Sequence, residues 1–233
     1  TITRSAPADA GVDGSLTVCS TGGAVPLFNS LGGTPQGGGT WSGPSAVIGG
    51  QYDPATMTAG VYTYTVAGTS PCPSDASTVT VTESTTANAG TNGTLTICSN
   101  AAAADLFDQL GGSPQSGGTW SGPSATTGSY DPATMAPGTY AYLVNAAPPC
   151  GSSSATVVVT EDPAPATPTI TGPSSFCTGS TITLNSSSAT GNVWTPGGQV
   201  TPSITVSAAG NYSVTVTAGG CSSTSLVKGV TEP

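Results

Sequence analysis

The sequence has no histidine and only two cations, Arg4 and Lys228, among its 233 residues. Without histidine, the commonest general base and the usual serine or cysteine triads are absent. Nucleic-acid binding needs clustered lysine or arginine, so a formal net charge of −9 argues strongly against that class of partner. A basic patch for membrane surfaces is excluded for the same reason. The sequence also lacks a run of about 18 apolar residues, so no membrane insertion is expected.

Charged residues are scarce as well, at 6% of the chain, against about a quarter in ordinary soluble domains. No segment of ten or more residues holds a helical period, which makes an all-β fold the default. The patterned stretches are rich in Thr and Val, and the rest is rich in Gly, Pro and Ser. This composition is typical of short strands joined by tight turns.

The chain contains six widely spaced cysteines and no Cys-x-x-Cys motif. A zinc site would have to draw four of them together from distant places. Disulfides in an oxidising, extracellular compartment are therefore the expectation. The six are Cys19, Cys72, Cys98, Cys150, Cys177 and Cys221.

The sequence repeats itself. ADAGVDGSLTVCS at 8–20 returns as ANAGTNGTLTICS at 87–99, and LGGTPQGGGTWSGPSA at 31–46 returns as LGGSPQSGGTWSGPSA at 110–125. The remainder is a shorter and more distant relative. We therefore define repeat 1 as residues 8–84, repeat 2 as 85–162 and repeat 3 as 163–233. Each of the two quoted motifs returns after 79 residues, and the same offset aligns residues 1–7 with residues 80–86, across the end of repeat 1. Residues 1–7 are therefore expected to be the end of a preceding repeat plus a linker.

Each repeat contains, in order, a Cys, a Trp, a Tyr and a Cys. That order predicts one bridge inside each repeat, although pairings between adjacent repeats remain open because sequence alone does not fix connectivity. The predicted bridges are Cys19–Cys72, Cys98–Cys150 and Cys177–Cys221. Short alternating strands with regular turn signals predict two-sheet sandwiches. The expected fold is all-β: three tandem immunoglobulin-like β-sandwich domains, each with one internal disulfide, in an extended array.

Asp9 and Asp13 flank glycines in DAGVDG and are the candidate metal ligands. Oxygen ligands on a tight turn suit Ca²⁺. Repeat 2 has Asn88 and Asn92 at these positions, which keeps the oxygens and loses both charges. The favoured interpretation is a turn whose side chains bond the local backbone. No cofactor other than Ca²⁺ is a candidate.

Trp41 and Trp120 lie among small polar residues, where an exposed indole could stack on a sugar ring. The favoured interpretation is that both pack the sandwich core, because the divergent repeat 3 has Trp194 at the comparable place. No pair of carboxyl groups is set to face one cleft, as glycoside hydrolysis requires, so no catalytic residue is predicted.

The series DAGVDGSLTVCS, LFNSLGGTPQGGGTWSGPSA, YDPATMTAGVYTYTVAGTSPCP and STVTVTE resembles the tandem immunoglobulin-like (PKD-like) repeats of very large surface proteins of Bacteroidota. Many proteins of that family are of the gliding-motility or adhesin type and are secreted by the type IX system. The resemblance covers essentially the whole chain and implies a secreted, cell-surface protein.

Two functions follow from this resemblance. The first is a non-catalytic stalk or fibre segment of a large extracellular adhesin or filament. Its partners would be neighbouring repeats of the same chain or other copies in a fibre. The alternative is a glycan- or Ca²⁺-dependent binding module, in which the repeats themselves contact a surface glycan.

Overall fold

The computed structural model describes residues 6–233. Most of the segment predicted to end a preceding repeat, residues 1–5, lies outside the described residues. The chain divides into two compact units. Unit 1 runs to Thr91 and adds Gly111–Thr119 and Tyr142–Ala155, whereas unit 2 comprises Asn92–Leu110, Trp120–Ala141 and Thr156–Pro233. The predicted boundaries of the three repeats remain a prediction.

Repeats 1 and 2 have the same elements in the same order, as their sequence identity predicts. Repeat 1 contains strands β1 (Gly14–Cys19), β2 (Val25–Pro26), β3 (Thr40–Ser42), β4 (Gln51–Tyr52), β5 (Gly60–Val66) and β6 (Asp75–Ser84), with a 3₁₀ helix at Phe28–Ser30. Repeat 2 contains β7 (Gly93–Cys98), β8 (Ala104–Asp105), β9 (Thr119–Ser121), β10 (Ser129–Tyr130), β11 (Gly138–Val144) and β12 (Ser153–Asp162), with a 3₁₀ helix at Phe107–Gln109.

Repeat 3 has seven strands and no helix in the described structure. Its strands are β13 (Ile170–Thr171), β14 (Ile182–Ser186), β15 (Asn192–Thr195), β16 (Ser203–Val206), β17 (Gly210–Ala218), β18 (Cys221–Thr224) and β19 (Lys228–Val230). One sheet has the order β13-β14-β16, and in the other β17 pairs with β15, β18 and β19. None of the helices in residues 6–233 is long and apolar enough to cross a membrane.

The main sheet of repeat 1 has the order β1-β6-β5-β3. Its first strand, β1, pairs with its last strand, β6, in the parallel direction, and β5 pairs with β6 antiparallel. Side chains alternate along β5, because Tyr62, Tyr64 and Val66 are buried while Val61 and the threonines between them are more exposed. The alternation predicted for the short strands is therefore confirmed in β5.

A tyrosine near the start of one core strand bonds its own backbone in every repeat. The Tyr62 hydroxyl donates to the carbonyl of Thr58 at 2.7 Å, four residues upstream. Tyr140 donates to Ala136 at 2.7 Å, and Tyr212 donates to Ala208 at 2.9 Å. This "tyrosine corner" is a hallmark of the immunoglobulin sandwich. Together with the two-layer, all-β strand order, it identifies the fold as tandem immunoglobulin-like.

The cysteine pairing corrects the expectation of one bridge inside each repeat. Cys19 is bonded to Cys150 within unit 1, with 5.0 Å between their Cα atoms. Cys98 is bonded to Cys221 within unit 2, with a Cα separation of 5.6 Å. Cys72 and Cys177 take part in neither bridge. Each disulfide thus joins the first cysteine of one repeat to the second cysteine of the next.

The register of the main sheet explains why Cys19 and Cys72 do not pair. Cys19 is the last residue of β1 and lies beside Ser84, at the end of β6. Cys72 lies in the loop that precedes Asp75, at the start of β6. Ten residues of extended strand span about 30 Å, whereas a disulfide needs Cα atoms within about 7 Å. The parallel direction of β1 therefore places the two cysteines at opposite ends of one sandwich.

Candidate functional site

The candidate functional sites are the two disulfide-linked junctions between repeats. In unit 1 the parallel pairing of β1 and β6 continues one residue past Cys19, where Ser20 N–H donates to the Ser84 carbonyl at 2.9 Å. The Ser84 hydroxyl also donates to the carbonyl of Pro148, at 3.2 Å. Pro148 lies two residues before Cys150, in the loop between β11 and β12. A hydrogen bond therefore accompanies the covalent bond between repeats 1 and 2.

The junction in unit 2 has the same design with more hydrogen bonds. Ser99 N–H donates to the Asp162 carbonyl at 2.9 Å, as Ser20 does to Ser84. The Asn100 side chain donates to the carbonyl of Ser222 at 2.9 Å, and the Ser223 hydroxyl donates to the carbonyl of Pro165 at 2.7 Å. These bonds fix the strand that begins at Cys221 beside the end of repeat 2.

The second cysteine of each bridge is shielded from solvent. Cys150 is 8% exposed and Cys221 is 1% exposed. The first cysteines, Cys19 and Cys98, are half-buried. Because exchange with a thiolate reductant requires access to a sulfur atom, each bridge is shielded on one side only.

The candidate calcium ligands bond the backbone of repeat 1. One carboxylate oxygen of Asp9 accepts from Gly11 N–H at 2.9 Å, and one of Asp13 accepts from Thr78 N–H at 2.7 Å. In repeat 2, Asn92 accepts from Thr156 N–H at 2.9 Å in the same way. This use of side-chain oxygens is the one expected for a backbone-bonding turn. Within residues 6–233, no three His, Cys, Asp or Glu side chains gather as a metal site would require. The Ca²⁺ site stays a prediction.

The three tryptophans differ in burial. Trp41 on β3 is half-buried and packs against the core of repeat 1, with its ring centroid 5.0 Å from that of Tyr64. Trp120, on β9, is also half-buried. Trp194 on β15 is fully buried, and its indole N–H donates to the Thr201 carbonyl at 2.9 Å. Packing thus accounts for part of the Trp41 surface and for all of Trp194.

Two buried tyrosines pair with glutamates that the sequence analysis did not single out. Tyr52 donates to Glu83 in repeat 1, and Tyr130 donates to Glu161 in repeat 2. Burial, followed by the hydrogen bond and negative charge of the glutamate, raises the pKa of each tyrosine far above its ordinary value. The sequence contains a signal for these pairs, because the tyrosine begins a Tyr-Asp-Pro motif and the glutamate ends a Val-Thr-Glu motif in both repeats.

A shallow groove in unit 1, of about 680 Å³, has no titratable side chain in its lining. It is lined by residues 114–119 and 143–145, which are Pro, Gln, Ser, Gly, Thr, Leu, Val and Asn. General acid–base chemistry needs a group that can exchange a proton near its working pH. This groove cannot supply that group.

No protein-family model matches the sequence, and no curated protein is similar to it. Solved structures that match the chain include tandem immunoglobulin-domain proteins. Titin domains I67–I69 share 12% identity over 95% of this chain and 97% of that one, with a TM-score of 0.36. Extracellular domains 3–5 of Drosophila OTK share 12% identity over the full length of both chains, with a TM-score of 0.35. At this level the likeness carries no argument about function, and the fold rests on the strand order and tyrosine corners described above.

A match to murine CEACAM1b, at 12% identity and a TM-score of 0.27, covers 42% of this chain. The match spans 59% of the length of that solved chain.

Proposed function

We propose that the chain is a non-catalytic structural segment of a stalk or fibre in a large extracellular surface adhesin or filament. The observation that carries this proposal is the staggered pairing of cysteines. Each bridge starts at the last residue of the first strand of one repeat and ends at the second cysteine of the next, so it joins successive repeats covalently. A stalk needs such covalent connections, because a pulling force along it passes through every connection between neighbouring repeats.

The type of bond also supports an extracellular location. Disulfides persist in oxidising compartments and are rare in the cytosol. Both bridges close long loops, with sequence separations of 131 and 123 residues. In the chain-entropy model a loop of this size stabilises the folded state by about 4–5 kcal/mol. That contribution is large beside the net stability of a small domain, which is about 5–15 kcal/mol.

The surface of the strands is made polar mainly by hydroxyl groups. Facing threonine hydroxyls lie 3.0 Å apart for Thr17 and Thr82 and 2.8 Å apart for Thr215 and Thr224. Such cross-strand pairs contribute a few tenths of a kcal/mol each. Hydroxyl pairs are insensitive to salt and to moderate pH change, which suits a segment exposed outside the cell.

Small-angle X-ray scattering of the purified chain tests the proposal. A compact globule of 233 residues has a radius of gyration of about 17 Å. A stalk segment with its repeats end to end must have a clearly larger value and a maximum dimension of several repeat lengths. A radius of gyration near the compact value contradicts a stalk.

A glycan array separates the stalk from the binding module of the alternative. The stalk predicts no glycan affinity with or without Ca²⁺. Binding that disappears in Trp41→Ala, while circular dichroism shows an unchanged fold, overturns the stalk in favour of a glycan-binding role. Trp194→Phe is the matched control, because Trp194 is buried and cannot reach a ligand.

A further inference from the structure

Cys177 occupies the same register position in repeat 3 as the two bonded strand-end cysteines do in repeats 1 and 2. Each repeat ends with a Val-Thr-Glu triplet, at 81–83, 159–161 and 230–232. In each triplet the threonine pairs, in the parallel direction, with the residue two positions before a cysteine. The three pairs are Thr17 with Thr82, Thr96 with Thr160 and Ser175 with Thr231.

The local hydrogen bonds confirm that this equivalence holds for the backbone of repeat 3. Thr231 N–H donates to the Ser174 carbonyl at 2.9 Å, and Phe176 N–H donates to the Thr231 carbonyl at 3.1 Å. Cys177 follows directly after this paired segment, whereas Cys19 is itself the last paired residue of β1. The chain then turns at Cys177, whose carbonyl accepts from Ser180 N–H at 2.9 Å.

The bonding state of Cys177 nevertheless differs from that of its counterparts. Cys19 and Cys98 are each bonded to the second cysteine of the next repeat, whereas Cys177 is an exposed thiol. Two equivalent positions in the same chain thus show which kind of group this position binds. That group is the cysteine that follows the tyrosine-corner strand of another repeat, either in the connecting loop, as Cys150 is, or at the first residue after the turn, as Cys221 is. We call it the loop cysteine.

We propose that Cys177 is an attachment point that forms a disulfide with the loop cysteine of a further repeat of this type. In this reaction two thiols lose two protons and two electrons and form one S–S bond. An external disulfide, such as oxidised glutathione, accepts the electrons and is reduced to two thiols. This proposal rests on the sheet register and not on the stalk function. A compact radius of gyration in the X-ray scattering experiment would therefore contradict the stalk but not the attachment at Cys177.

The first test uses the chain as it is. Iodoacetamide under native conditions is expected to alkylate Cys177 and to leave Cys19, Cys98, Cys150 and Cys221 unmodified. Mass spectrometry of proteolytic fragments identifies the modified positions. A Cys177 that stays unmodified in the folded chain overturns the proposal, since an attachment point must be open to a partner.

The second test supplies the missing partner. A copy of residues 163–233 is added directly after Pro233, because in the native chain the same segment follows Asp162, the residue paired with Cys98. The copied Cys177 is changed to Ser so that no terminal thiol competes. After folding in a glutathione buffer, non-reducing peptide mapping is expected to find Cys177 bonded to the copied Cys221, with both native bridges retained.

The matched control is the extended chain with the original Cys177→Ser, in which the copied Cys221 must remain a thiol. If the first extension fails to fold by circular dichroism, a copy of residues 85–162 with its Cys98→Ser offers Cys150 instead. A folded extended chain in which Cys177 remains an alkylatable thiol, or bonds to any cysteine other than the copied loop cysteine, overturns the proposal.

Discussion

Repeats 1 and 3 have similar strand pairing but different side-chain packing in their cores. Both have a parallel pairing between an early segment and the end of the repeat, which is a full strand pair in repeat 1 and a single bridge in repeat 3. Both also have a tyrosine corner, and a tryptophan paired with a residue of the tyrosine-corner strand. In repeat 3 the core is centred on a fully buried Trp194, while in repeat 1 a half-buried Trp41 lies against buried tyrosines. The sheet register is therefore the constant feature of the two repeats, and the packing within it varies.

The largest expected effect concerns two cysteines at equivalent positions. Replacing both members of the Cys19–Cys150 bridge by Ser should lower the free energy of unfolding by about 4–5 kcal/mol, because the unfolded chain regains loop entropy. Cys177→Ser in the same chain should change it by less than about 0.5 kcal/mol. Urea denaturation measures both. Equal changes in the free energy of unfolding would contradict a stabilising bridge at Cys19 and an unbonded thiol at Cys177.

The tryptophans provide the next contrast. Trp194→Ala should destabilise repeat 3 by about 3–5 kcal/mol, because the substitution leaves a large cavity in a closed core. Trp41→Ala should cost less than half as much, since water already covers part of that side chain. Denaturation followed by circular dichroism measures the two values, with Trp194→Phe as a size control. A larger loss for Trp41 would mean that the burial pattern is wrong.

The buried tyrosine–glutamate pairs distinguish repeats 1 and 2 from repeat 3, whose only tyrosine is Tyr212. The folded state holds the Tyr52 and Tyr130 protons more tightly than the unfolded state, because their pKa values are raised. Stability from these pairs is therefore complete below about pH 10, the ordinary tyrosine pKa, and is lost as the pH rises above it.

Urea midpoints measured from pH 8 to pH 12 should fall at the alkaline end. The fall should be smaller in the double variant Tyr52→Phe, Tyr130→Phe, which has no buried phenol to ionise in these pairs. Tyr212→Phe is the control from repeat 3. An identical alkaline fall in the double variant would exclude these pairs as its source.

The smallest effect compares two substitutions at one turn. Asp13→Asn should change stability by no more than about 0.5 kcal/mol, because the amide oxygen can still accept from Thr78 N–H, as Asn92 does from Thr156. Asp13→Ala should cost about 1 kcal/mol through loss of the hydrogen bond. Thermal unfolding with and without Ca²⁺ measures both. Stabilisation of the parent chain by Ca²⁺, lost in Asp13→Asn, would instead support a metal site.

The sequence was sufficient to predict the all-β fold, the repeats and the faces of the strands. Alternation along 60–66 directly marks which side chains are buried, and the returning motifs show that residues 8–84 and 85–162 fold alike. The segments VPLFNSLGG and ADLFDQLGG predict one helical turn ended by glycine, and 3₁₀ helices lie there, at Phe28–Ser30 and Phe107–Gln109. The segment YDPATM predicts the start of a helix, with Asp as the cap and Pro at the first helical position. In the structure it forms a turn in which Asp53 accepts from Ala55 N–H.

The cysteine pairing could not be predicted, for a physical reason. Alternation of side chains is the same in a parallel and an antiparallel strand, so it gives no direction to β1. Order along the chain suggested Cys19 with Cys72, but the parallel register puts them at opposite ends of β6. The Tyr52–Glu83 pair was missed similarly, because it depends on a contact between the two layers of the sandwich.

The central claim is that disulfides in this chain connect successive repeats. Non-reducing proteolysis of the unmodified chain, with thiols alkylated beforehand and fragments identified by mass spectrometry, tests it most directly. We predict one fragment pair joined through Cys19 and Cys150 and a second joined through Cys98 and Cys221. A fragment pair joined through Cys19 and Cys72, or through Cys98 and Cys150, would contradict the claim.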